Sequence, residues 1–171
     1  MSKVAIVTDS TAYIPDNLVK KHNLTIVPLI LLWGHEAFED GVDIQPSEFY
    51  TRLADAKIMP TTSQATIPAM QAAFEGLVGK GYDVLGIFIS SKLSGTVQSA
   101  IQGREMMLQG AEKVAIVDSL STSMAMGFQV LHVARAAEAG ESLAECVKLA
   151  EKAREHTGVY FAVDTLEFLH R

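Results

Sequence analysis

An α/β fold, with a mostly parallel sheet flanked by helices on both faces, is predicted by two features of the sequence. The first is a set of continuous apolar runs: Val4-Ala5-Ile6-Val7, Val84 to Ile89, Val114-Ala115-Ile116-Val117 and Val159 to Val163. Such runs without polar alternation mark strands buried on both faces, as in a parallel sheet covered by helices. The second is the alternation of these runs with amphipathic stretches of helical spacing, which calls for right-handed crossovers.

The first and third runs form a near-repeat. Lys3-Val4-Ala5-Ile6-Val7-Thr8-Asp9-Ser10 returns as Lys113-Val114-Ala115-Ile116-Val117-Asp118-Ser119. Helices are expected over Pro15 to His22, Pro46 to Ala56, Pro68 to Val78, Gly95 to Leu108, Ser123 to Ala139 and Leu143 to His156. Pro46 and Pro68 suit a first helical turn, where a missing N–H costs nothing, and Gly79-Lys80-Gly81 and Gly140 mark helix ends. The stretch Leu31 to Gln45, with Gly34, Gly41 and several carboxylates, is expected to be a surface loop.

The 171 residues suit one sizeable domain, with apolar and charged fractions ordinary for a globular protein. A formal net charge of -6, without a run of Lys or Arg, argues against nucleic acid as a partner. The apolar run Ile26 to Trp33 contains Pro28 and is far too short for a membrane span, so no stable membrane insertion is expected. No targeting segment is visible, and the single cysteine, Cys146, fits a reducing compartment; a cytoplasmic location is expected.

A parallel sheet brings its strand C-termini to one edge, where open α/β sheets bind ligands. Thr8-Asp9-Ser10-Thr11, Ser90-Ser91, Asp118-Ser119 and Asp164-Thr165 should converge there. Two hydroxyl-rich loops stand out: Pro60-Thr61-Thr62-Ser63-Gln64-Ala65-Thr66 and Ser90-Ser91-Lys92-Leu93-Ser94-Gly95-Thr96. Each runs into an expected helix, with Ser94 placed as a cap and Gly95 allowing close approach to the backbone. Such a loop holds an anion on N–H groups and neutral hydroxyls, or simply caps its helix. Asp9, Asp118 and Asp164 each close a buried strand and should accept from backbone N–H groups and hydroxyls behind the site.

Other chemistries find less support. No phosphate loop of G-x-x-x-x-G-K-[ST] type and no G-x-G-x-x-G turn is present, so no nucleotide cofactor is expected. His22, His132 and His156 fall on expected helices, His35 lies in the expected loop and His170 is near the terminus, so no serine has an evident base. The cluster of His35, Glu36, Glu39, Asp40 and Asp43 matches no metal-binding spacing, and no metal is expected. The methionines suit core packing or an adaptable apolar slot. A phosphate-handling enzyme or subunit using the same helix-terminus site remains the alternative.

Several stretches, in order along the whole chain, carry a family resemblance. They are Ile6-Val7-Thr8-Asp9-Ser10-Thr11-Ala12, Ile26-Val27-Pro28-Leu29, Asp40-Gly41-Val42-Asp43-Ile44, Phe49-Tyr50, Pro60-Thr61-Thr62-Ser63-Gln64, Leu93-Ser94-Gly95-Thr96, Val117-Asp118-Ser119 and Val163-Asp164-Thr165-Leu166. On these the chain resembles the DegV family of bacterial fatty-acid-binding proteins. The resemblance implies a non-catalytic carrier that holds the carboxylate of a long-chain, palmitate-like fatty acid on Thr62 and Ser94. Thr61, Ser63, Gly95, Thr96, Ser91, Asp9, Ser10, Asp118 and Ser119 are the expected supporting residues. It further implies presentation of the ligand to a separate ATP-dependent fatty-acid kinase. Family members continue past Leu-His-Arg into a second domain that helps wall the acyl chain, whereas this sequence stops at His170-Arg171. Residues 1–165 are therefore expected to form the lipid-binding domain and 166–171 the start of a connection, in a fragment or a short member with weakened ligand retention.

Overall fold

The structure is a computed structural model, and it describes residues 3–163. Its centre is a four-stranded parallel sheet in the order β2-β1-β6-β7, formed by β1 (Val4–Asp9), β2 (Thr25–Val27), β6 (Asp83–Phe88) and β7 (Val114–Asp118). All six residues of β1 are buried, as a central parallel strand with helices on both sides requires. On one face α1 (Asp16–Lys21), α5 (Ser123–Glu138) and α6 (Leu143–Arg154) cover Ile6, Leu85, Ile87 and Val117. On the other, α3 (Ile67–Val78) and α4 (Thr96–Glu105) cover Val7, Val84, Phe88 and Val114.

The chain leaves β1 for β2 on one side and β6 for β7 on the other. The direction of winding therefore reverses between β1 and β6, and a crevice opens at their C-terminal ends.

Between β2 and α3 the chain builds a second layer. An antiparallel sheet in the order β4-β3-β5 comprises β3 (Ile30–Trp33), β4 (Glu36–Glu39) and β5 (Thr61–Ser63), with α2 (Pro46–Ala54) packed on it. This corrects the surface loop expected over Leu31 to Gln45. Leu31, Trp33 and Ile44 are buried in a small core of their own, and Trp33 pairs with Glu36 across a two-residue turn. Gly34 holds φ +66° there, the position that a type II′ turn gives to glycine.

Three further expectations change. Val159 to Val163 forms no strand: it carries no regular structure and is exposed, with Tyr160 98% and Phe161 76% accessible. The fourth parallel strand is instead the short β2. Thr61–Ser63 is a strand that pairs with β3 rather than a loop feeding a helix, and α3 is capped by Thr66, whose hydroxyl accepts the Ala69 N–H at 3.3 Å. Finally, Gly95 occupies the cap position of α4; Ser94 performs the capping one residue earlier by accepting the Thr96 N–H at 3.3 Å. Asp164, Thr165, His170 and the expected connection at 166–171 lie outside the described residues.

Candidate functional site

A cavity of about 680 Å³ lies between the crevice of the parallel sheet and the small antiparallel sheet. Its wall includes Thr11, Ile89, Ser94 and Gly95 from one side and Leu31, Ile44, Phe49, Thr62, Ser63 and Gln64 from the other. Thr62 and Ser94, 32 positions apart, meet here because β5 pairs with β3 beside Leu31, while Ser94 follows β6.

The parallel edge is tied down by buried carboxylates. Asp9 is fully buried and accepts from the Thr11 N–H at 3.0 Å, the Thr11 hydroxyl at 2.5 Å and, across the crevice, the Ile89 N–H at 2.8 Å. Burial pushes the Asp9 carboxyl above its usual range, and the bonds from Thr11 and Ile89 oppose that shift. Asp118 accepts from the N–H groups of Ser91 and Leu120, at 3.2 and 2.9 Å, and so ties together the loops after β6 and β7. Ser10 Oγ accepts the Leu29 N–H at 3.1 Å, joining the end of β1 to the approach to β3. Ser119 Oγ donates to the Ser121 carbonyl.

Of the eleven residues singled out from the sequence, Thr62, Ser63, Ser94 and Gly95 line the cavity. Asp9, Ser10, Ser91, Thr96, Asp118 and Ser119 stand behind it in the loops just described, and Thr61 is exposed on β5 away from the wall. Ser94 Oγ lies 2.9 Å from Thr96 Oγ1; when Thr96 donates, the Ser94 proton is free to turn into the cavity. Thr62 makes no side-chain hydrogen bond among the described residues, and its hydroxyl is likewise available.

Several wall residues were not anticipated. Three helices begin on the cavity: α2 at Gln45 and Pro46, α4 at Gly95 and α5 at Ser123. None of the three has a side-chain cap bond at its N-cap residue, so first-turn N–H groups and the positive ends of three dipoles gather at one place. Tyr13 and Ser123 adopt φ +48° and +54°, left-handed conformations costly for residues with a side chain, and both line the wall. Tyr13 and Tyr50 are exposed at the wall near Asp40, and burial first, then Asp40 and Tyr50, raise the Tyr13 phenol above its ordinary value. Gln64 and Phe49 belonged to recognised stretches without an assigned task. The one sequence signal that could have exposed this half of the site was Gly34-His35 between Ile30-Leu31-Leu32-Trp33 and Glu36-Ala37-Phe38, the pattern of a hairpin.

Among the described residues no Lys, Arg or His lines the cavity, and Asp40 is the only charged side chain on its wall. Among the described residues no methionine lines it either, and Met70, Met107 and Met126 are buried in the core. Cys146 is buried and its thiol is pushed up by that burial, consistent with packing rather than reactivity. His22 is buried with Nδ1 2.9 Å from Glu138, remote from the cavity wall. Among the described residues there is no group of three or more His, Cys, Asp or Glu able to hold a metal ion, and no helix long and apolar enough to cross a membrane.

The family model described as "Uncharacterised protein, DegV family" matches residues 3–171. The chain belongs to the DegV family. It is 37% identical to a DegV domain-containing protein of Caldanaerobacter subterraneus, across all of this chain and 60% of that protein. To one from Clostridium perfringens it is 35% identical over 98% of this chain and 60% of the relative. The chain thus spans about three-fifths of the length of these curated relatives. Among solved structures it superposes on a Thermus thermophilus DegV-family protein, described by its fatty acid binding, with a TM-score of 0.83 and 30% identity over 98% of this chain and 59% of that one. Bacillus subtilis DegV, described as a fatty acid binding protein, gives 0.82 and 31% over 91% of this chain and 55% of that one. The DegV chain described here shares the parallel-sheet fold of these proteins.

Proposed function

We propose that this protein binds a long-chain fatty acid, with the carboxylate held by the hydroxyls of Thr62 and Ser94 and the acyl chain against Leu29, Leu31, Ile44 and Phe49. The observation that carries this reading is the combination of three helix starts and two hydroxyls able to donate, those of Thr62 and Ser94, on a cavity with no cationic side chain among the described residues. A singly charged headgroup needs no more than a few neutral donors and a helix terminus. A phosphate dianion is disfavoured in the same place, because among the described residues Asp40 is the only charge on the wall. The apolar residues supply the rest, since each buried CH₂ contributes about 0.8 kcal/mol. Fatty acid binding by the Thermus and Bacillus proteins supports the assignment.

The role is that of a carrier without chemistry of its own: among the described residues no serine on the wall has a histidine on that wall to act as base. Acting inside the cell, it would present its ligand to a separate fatty-acid kinase, and transfer of bound palmitate to such a kinase in a reconstituted assay tests that extension. The headgroup assignment is tested by titrating palmitate into Thr62→Val and Ser94→Ala. A neutral donor to a charged acceptor is worth about 1.5 to 3 kcal/mol, so each substitution should weaken binding by about tenfold or more. Unchanged affinity in both variants would sink the assignment.

A further inference from the structure

We propose that Gln64 is a third headgroup-binding residue, its carboxamide placed by the absence of a side chain at Gly95. The inference rests on the fatty-acid reading above and extends it to a residue with no role so far. Gln64 directly follows β5, two residues after Thr62. Both line the cavity, with Ser94 and Gly95.

A methyl group at Gly95 would come within 3.1 Å of both Gln64 Cδ and Nε2 and 3.2 Å of Oε1. Three nearly equal distances mean that the carboxamide turns a face to the position that a side chain at Gly95 would take. Gly95 itself has φ -76° and ψ 5°, a conformation any residue adopts, so its backbone does not call for glycine. A side chain there would instead press on Gln64, whose carboxamide would have to give by a few tenths of an ångström. The carboxamide has no hydrogen-bond partner among the described residues, and its two N–H groups are free for a ligand. It adds donors beside Thr62 and Ser94 without adding charge.

The geometry makes Gly95 a positioning residue and Gln64 a binding one, and their substitutions should be coupled. In palmitate titrations, Gln64→Leu should weaken binding about tenfold, the loss of one hydrogen bond to a charged group, and Gly95→Ala should weaken it less, by shifting the carboxamide. The part of the Gly95→Ala loss that passes through the carboxamide should vanish on the Gln64→Leu background. Gln64→Glu should bind worse than Gln64→Leu at pH 8, because two carboxylates would then share the site. Melting temperatures, measured alongside, should stay within a few degrees of the unaltered chain, since Gln64 is exposed and Gly95 is unstrained. Wild-type affinity in Gln64→Leu, or a Gly95→Ala loss that persists in full on the Gln64→Leu background, overturns the proposal. Failure of the unaltered chain to bind any fatty acid would overturn the headgroup reading itself, a result distinct from either.

Discussion

The two walls of the cavity are built on opposite plans. On the parallel-sheet side, each loop is anchored by a buried or half-buried polar side chain that accepts backbone N–H groups: Asp9 for Thr11 and Ile89, Asp118 for Ser91 and Leu120, Ser10 for Leu29. Beneath lie two clusters of fully buried apolar residues, one on each face of the sheet. On the small-sheet side, only Leu31, Trp33 and Ile44 form the buried core, and every residue of β5 is exposed. The difference separates two tasks. The first wall fixes helix starts and Ser94 at low reorganisation cost, and the second contributes Thr62 and Gln64 from a thin layer that depends on long-range strand pairing.

If that contrast is sound, the largest effect should come from Asp9. Asp9→Ala removes three accepted hydrogen bonds and leaves the N–H groups of Ile89 and Thr11 without their acceptor, a loss of about 2–4 kcal/mol. Urea unfolding should register it as a fall in the global midpoint. A loss under about 1 kcal/mol would show that the edge is organised by something else. A smaller and local effect is expected from Trp33→Leu, which loses the edge contact with Phe49 at 5.5 Å and the bond from Nε1 to the Ile58 carbonyl at 2.8 Å. Its cost of about 2–3 kcal/mol should appear as faster hydrogen exchange in β3, β4 and β5 while β1 and β6 keep their protection. Equal loss of protection in both sheets would mean that the two layers unfold as one unit.

The same contrast explains what could be seen in the sequence. The strands β1, β6 and β7 were legible because a strand buried on both faces is written as an unbroken apolar run. Val159 to Val163 carries the same signal yet stays exposed, since an apolar run states a preference for burial and not the presence of a neighbour. The small sheet was illegible for the opposite reason: β5 is Thr61-Thr62-Ser63, with no apolar residue, and becomes a strand only by pairing Leu31 with Thr62. Of the site, Thr62 and Ser94 were visible as hydroxyls in marked loops. Gln64, Phe49, Tyr13 and Ser123 were not, because their positions follow from that pairing or from left-handed backbone that no local pattern announces.

The smallest expected effect separates the two influences acting on Asp9. Burial raises its carboxyl above the usual range, while the bonds from Thr11 and Ile89 pull the other way and lose. A carboxyl raised in the folded state binds more protons than in the unfolded chain over the interval between the two values. Its contribution to stability is therefore full below about pH 4, where unfolded Asp titrates, and is lost as pH rises through the folded value. Asp9→Asn has no such titration, and it leaves the other carboxylates common to both proteins. The stability advantage of the unaltered chain over Asp9→Asn should thus be greatest near pH 4 and shrink toward neutrality, by about 1.4 kcal/mol for each unit by which the carboxyl is raised. An advantage that instead grows with pH would mean that the donors of Thr11 and Ile89 outweigh burial. Asp9 would then stabilise the crevice between β1 and β6 more as a carboxylate than as a neutral acid.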